Sequence, residues 1–177
     1  MDMNAITGRL MRVLRFDASV YREIAADNAA MPQAGVIVTV AVLLGGLANL
    51  VNLGVVAYLL FAVIGIVGFF IYAAVATGIA KMLFQGKTDF QEMGRTLGYS
   101  YVWYALGALS LVAGPLAWAG SVIAWVAGVI ALRESAEFDT VKAVVTVLVS
   151  GLVAFFLTGL VTAPLLLMLG LSGSLAR

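Results

Sequence analysis

The chain has 177 residues, carries a net charge of +1, and is 63% hydrophobic with only 11% charged residues, where a soluble domain carries about 25%. A soluble protein of this size has too little polar side chain to clothe its exterior, so the composition points to a surface that faces lipid. The chain has neither cysteine nor histidine, which removes disulfides, thiolate catalysis, cysteine-bound metal clusters and the commonest general base.

In chain order, residues 5–16 form a basic amphipathic segment. At about 100° per residue, Ile6, Leu10, Met11, Val13 and Leu14 fall on one side and Arg9, Arg12 and Arg15 on the other. That pattern suits a helix lying on anionic lipid head groups, with the three arginines as its contacts. The plainer alternative is an arm that sets orientation or packs under a bundle. Asp17 is placed to cap a second short helix with Val20, Tyr21 and Ile24 on one face. The first apolar run starts only after Asp27 and is long enough to span, so no signal peptide is expected. Residues 1–32 are therefore expected as a cytoplasmic amphipathic segment ahead of a membrane domain over 33–177.

Charges then punctuate the chain. None falls between Asp27 and Lys81, between Arg95 and Arg133, or between Lys142 and Arg177. A span needs about 20 apolar residues, and a charge at the bilayer centre costs roughly 2.5–3.5 kcal/mol on insertion scales. The uncharged runs are thus the membrane segments. Asn49, Asn52 and Gly54 favour a break in the first run, giving spans at 33–51 and 55–80. Gly86 is expected to turn the loop after the second span. Asp89 and Glu92 resemble a capping arrangement for a third helix, and Thr140, with Asp139 beside it, can cap the fifth. Gly114-Pro115 divides the second run into 96–113 and 115–132. The third run gives one span at 141–163, which Pro164 ends or kinks.

The fold expected is all-α: a transmembrane bundle of about five spans with the N-terminus in the cytoplasm. In that topology every Lys and Arg except Arg177 lies inside, as the positive-inside rule asks. Small residues are candidates for close helix packing: Gly94 and Gly98 on the third span, and Gly120, Ala124 and Gly128 on the fourth. Thr146, Ser150, Ala154, Thr158 and Thr162 make a polar stripe on the fifth. It reads either as a solute pathway or as packing, with hydroxyls bonded back to their own helix. The lack of an ionisable residue beside it favours packing. Tyr99, Tyr101, Trp103 and Tyr104 read as an interfacial aromatic belt.

At the third helix the chain resembles a known family. Residues 84–100, with a glycine-containing loop, a phenylalanine and the element Gly98-Tyr99-Ser100, resemble the Yip (Ypt/Rab-interacting protein) membrane domain. Segments 131–143 and 16–24 are similar to the family's loop before its last span and to its first segment. Many members carry a proline soon after Gly-Tyr-Ser; here Val102-Trp103-Tyr104 stands instead. The long polar N-terminal region of eukaryotic members has no counterpart, and the composition resembles the prokaryotic branch. The resemblance implies a five-span fold, placement in a cell membrane (a bacterial inner membrane) and a non-enzymatic organiser or adaptor. Its partner would be a membrane or cytoplasmic protein, or a second copy. The alternatives are a small transporter, channel or lipid-moving protein, and an accessory subunit of a larger complex. No cofactor, metal or nucleic acid is expected. Asp89, Glu92, Glu134, Glu137 and Asp139 are the acids that could meet around a cation, although solvated loop charges explain them better.

Overall fold

A computed structural model describes residues 3–168, except the side chains of 115–118, 165, 166 and 168. Its helices are α1 (Met3–Leu14), α2 (Ala18–Ala26), α3 (Ala30–Gly45), α4 (Leu47–Phe84), α5 (Phe90–Ser100), α6 (Gly114–Ser135) and α7 (Thr140–Met168). A 3-10 segment, Tyr101–Leu111, follows α5 directly. Among the described residues two helices are long and apolar enough to cross a membrane, Leu47–Phe84 and Thr140–Pro164. Only 17% and 22% of their most apolar stretches is buried, unlike the core helix of a soluble protein, and Val55, Val56, Leu59, Phe155, Phe156 and Leu160 face outward. Helix α3 is apolar but shorter.

The helix starts follow local chemistry. Asp17 accepts from the Ser19 N–H (2.9 Å), Asp89 from the Glu92 N–H (2.8 Å) and Asp139 from the Lys142 N–H (2.9 Å). Each side chain satisfies a donor that the first helical turn leaves open.

Helix breaks agree with the sequence reading at Gly54 and depart from it elsewhere. The first run breaks at Gly46, where α3 ends, and again inside α4 at Gly54, whose φ of +84° only glycine adopts freely. At about 1.5 Å per residue an unbroken α4 would measure about 57 Å, far more than a bilayer core of about 30 Å. The loop after α4 turns at Gln85, in the left-handed conformation at φ 55°, and not at Gly86. Gly86 is small for another reason: a Cβ there would stand 2.7 Å from the Phe138 ring. Of the two roles left open for Pro164, ending the helix is not the one seen: Pro164 lies inside α7, which continues to Met168.

The largest departure is in the second uncharged run. The stretch expected as one helix over 96–113 is α-helical only to Ser100 and 3-10 beyond it. Such segments seldom exceed 3–4 residues, so packing must hold this one. A Cβ on Gly107 would lie 2.8 Å from the Gly45 carbonyl oxygen, and one on Gly45 would lie 2.7 Å from that of Tyr104. The two backbones therefore touch. In a 3-10 helix side chains three apart eclipse. Tyr101, Tyr104 and Gly107 thus share one row, against α3 and α4, while Trp103 and Leu106 share another, against Gly120 of α6.

The tightest packing lies near the charged end. Tyr21 and Ile24 of α2, Met93, Leu97 and Tyr99 of α5, and Leu132 of α6 are fully buried there. Helix α5 packs against α2, α3, α4 and α6. Residues 3–26 close this end as two short helices on the bundle, with Val13 and Val20 also fully buried.

Candidate functional site: a charged plate and a mid-helix cavity

The charged end is a plate with two main polar networks, one around Arg9 and Arg12 and one around Glu134. Arg9 of α1 meets Glu23 (3.0 Å) and Asp27 (2.7 Å) and reaches the Gln33 side-chain oxygen (3.4 Å). That oxygen also accepts from the Tyr99 hydroxyl (2.5 Å). Arg12 meets Asp17 (2.8 Å) and Glu23 (2.6 Å). Glu134 at the end of α6 receives Arg22 (2.5 Å) and Arg133 (2.8 Å). These contacts move protonation equilibria in the directions charge dictates. Hydrogen bonds from Ser19 and Arg12 hold Asp17 down to about 2. Arg9 and Arg12 lower Glu23, and Arg9 lowers Asp27. Burial pushes Glu134 up, but its two arginines outweigh that and hold it low.

Arg9 and Arg12 are therefore committed to acids of the same segment. Of the three arginines expected at lipid head groups, Arg15 alone is exposed without an ion pair among the described residues. Arg95, which the sequence marks only as the inner boundary of an uncharged run, is only 5% exposed. Its Nε (2.9 Å) and Nη2 both donate to the Ala25 carbonyl. That carbonyl lies at the C-terminal end of α2, where unpaired acceptors and the helix dipole favour a cation. The motif residues sit on the same helix. Gly98 lets α5 approach α3, since a Cβ there would meet the Ala34 Cβ at 2.7 Å. Tyr99 bonds Gln33, and Ser100 donates to the Leu97 carbonyl (2.6 Å). Gln33 and Arg95 were missed from sequence. The signal was present in the spacing of four between Arg95 and Tyr99, which puts them on one face.

The proposed packing residues divide. Gly94 faces the flexible end of Met31, and Gly120 faces Leu106 and the Trp103 carbonyl at close range. Ala124 and Gly128 instead line a cavity of about 360 Å³ bounded by α4, the junction of α5 with the 3-10 segment, α6 and α7. Tyr72, Tyr101, Tyr104, Ser100, Trp125 and Thr158 also line it. The polar stripe is split by this cavity. Thr146 and Ser150 are buried and donate to the carbonyls of Lys142 (2.8 Å) and Thr146 (2.5 Å). Ala154 and Thr158 border the cavity, and Thr162 lies beyond it with a weak bond to the Gly159 carbonyl (3.4 Å). The five acids named above do not converge. Among the described residues no group of three or more acids is arranged to hold a metal; Glu134 and Glu137 pair with basic residues, while Asp89 and Asp139 cap helices.

Long, outward-facing apolar helices joined to a charged plate define an α-helical membrane protein. A family model, the Yip1 domain, matches residues 11–163, and the chain belongs to that family. No curated protein and no solved structure matches it.

Proposed function

We propose that the chain is a five-span organiser or adaptor without enzymatic activity, set in a prokaryotic cell membrane with the charged plate in the cytoplasm. In this reading 33–51, 55–80, 96–113, 115–132 and 141–163 remain the crossing regions, with their helix ends adjusted as above. The carrying observation is the plate itself. Ion pairs join α1 to α2 and α2 to the end of α6, and the 85–89 and 136–139 loops beside them carry the caps Asp89 and Asp139, with Arg22, Lys87 and Glu137 exposed. A surface ordered this way offers a rigid site for a protein partner at low entropic cost.

Topology is testable because the chain lacks cysteine. In cells, Val112→Cys should react with an impermeant thiol reagent from outside, and Lys87→Cys only after permeabilisation. The opposite pattern refutes the orientation, and equal labelling refutes the separation of the two loops. The adaptor role is tested by gentle extraction of the tagged chain. A protein that co-purifies at fixed stoichiometry and is lost in Lys87→Glu/Glu137→Lys supports it. A chain recovered alone, or a partner indifferent to the plate, refutes it. The cavity favours a second reading, as a small transporter or lipid-moving protein. Flux in purified vesicles that disappears in Thr158→Val would support that reading.

A further inference from the structure

We infer that the cavity between α4, α6 and α7 binds one uncharged lipid molecule, a hydrocarbon chain carrying a neutral ester or hydroxyl group. The inference goes beyond the adaptor reading and holds whether or not a protein docks on the plate.

Position comes first. The lining residues Ile64–Tyr72, Ser121–Gly128 and Gly151–Thr158 fall near the middle of their helices. Trp125 and Phe155 line the cavity and are also exposed on the outer apolar surface, so a molecule can arrive from the lipid phase. The volume of about 360 Å³ falls in the usual range for ligand sites, about 300–1,000 Å³. Gly128 helps keep it open: a Cβ there would meet nothing nearer than 3.8 Å.

Chemistry then narrows the occupant. Most of the lining is apolar, and it contains no Asp, Glu, Lys or Arg. A charged head group would find no counter-charge there, at a depth where charge is costly. Yet the hydroxyls of Tyr72, Tyr101, Tyr104 and Thr158 make no hydrogen bond among the described residues. Thr158 differs in this from Thr146, Ser150 and Thr162, which all bond back to their own helix. The rings of Tyr101 and Tyr104 stack at 5.6 Å and Tyr72 lines the same cavity, so the phenols bring polar groups into an apolar chamber. Hydroxyls left unpaired in hydrocarbon are costly. A neutral ester or hydroxyl satisfies them, and its chain fills the rest.

The test uses the full chain in phosphatidylcholine nanodiscs, with three additives: monooleoylglycerol, oleate, and an alkene of the same length. Each is titrated while the thermal unfolding midpoint is followed, since a ligand of the folded state raises it. Monooleoylglycerol should raise the midpoint well above the effect of the other two. In Tyr72→Phe/Tyr101→Phe its effect should fall to that of the alkene. In Gly128→Leu, which fills the chamber, the responses to monooleoylglycerol and the alkene should both vanish. Equal responses to the three additives, or no response in the unmodified chain (a water-filled cavity), would overturn the inference. So would a monooleoylglycerol response unchanged in the tyrosine variant, which decides the matter if Gly128→Leu fails to fold.

Discussion

Gly107→Ala isolates the contact that holds the 3-10 segment. By intrinsic propensity, replacing a helical glycine with alanine stabilises by about 0.5–1 kcal/mol. At Gly107 the added methyl would lie 2.8 Å from the Gly45 carbonyl oxygen and 2.9 Å from its Cα. Both are backbone atoms and neither can swing away. Overpacking of this kind costs about 1–3 kcal/mol, so the net effect should be a loss of up to about 2.5 kcal/mol. Gly159→Ala is the control: it lies in α7 with nothing within 4 Å of the new methyl, and should be neutral or stabilising by about 0.5–1 kcal/mol. Gly45→Ala, facing the same contact from α3, should behave like Gly107→Ala. The assay is reversible unfolding in mixed micelles of mild detergent and dodecyl sulfate, read by far-UV circular dichroism. Trp103 fluorescence gives a second probe, since its ring stacks on Phe16 at 5.3 Å. If Gly107→Ala proves as stable as Gly159→Ala, the close approach of the two backbones is wrong, and with it the reason given for the 3-10 geometry.

Glu134→Gln should cost about 1–2 kcal/mol, between exposed and buried ion pairs, because Glu134 is 9% exposed but Arg22 is 71% exposed. Glu137→Gln, whose one ion pair among the described residues is an exposed contact of 3.8 Å, should change stability by less than about 0.5 kcal/mol; equal effects would refute the ranking. Tyr99→Phe should cost about 1 kcal/mol by losing one hydrogen bond, and Gln33→Leu about 1–3 kcal/mol because it strands the buried Tyr99 hydroxyl; the reverse order by the same unfolding assay would count against the network. Acid should loosen the plate. Asp17, Glu23, Asp27 and Glu134 are all held low in the folded chain, so the unfolded chain binds more protons as pH falls and stability drops with it. The loss should begin near the ordinary carboxylate range and continue for Asp17 from 3.8 down to about 2. A pH titration of the unfolding midpoint that stays flat below pH 4 would refute this.

Much of the architecture can be read from the chain because lipid imposes simple rules. A charge in hydrocarbon is expensive, so the gaps between Asp27 and Lys81, Arg95 and Arg133, and Lys142 and Arg177 mark the apolar segments without reference to a fold. Caps are equally local: Asp17 and Asp89 each reach donors two or three residues ahead, and spacing alone identifies them, whereas at α7 the cap is Asp139 and not its neighbour Thr140. Gly98-Tyr99-Ser100 carried the family because its pattern is short and contiguous.

What escaped the sequence depends on contacts between residues far apart in the chain. Arg95 looks like any boundary arginine until α2 brings the Ala25 carbonyl to it. Nothing in Tyr101–Leu111 announces a 3-10 helix; the conformation is held by Gly45 on another helix. Ala124 and Gly128 share the small-residue pattern of Gly120, yet only Gly120 meets a backbone, while the other two border a cavity. Periodicity says which residues share a face but not what stands opposite. The sequence by itself determined an all-α chain with lipid-exposed helices and a segregated charged end, because those follow from transfer free energy residue by residue. The tertiary structure decided which small residues pack, which arginines are consumed internally and where hydroxyls are left unpaired, because those depend on which helices become neighbours.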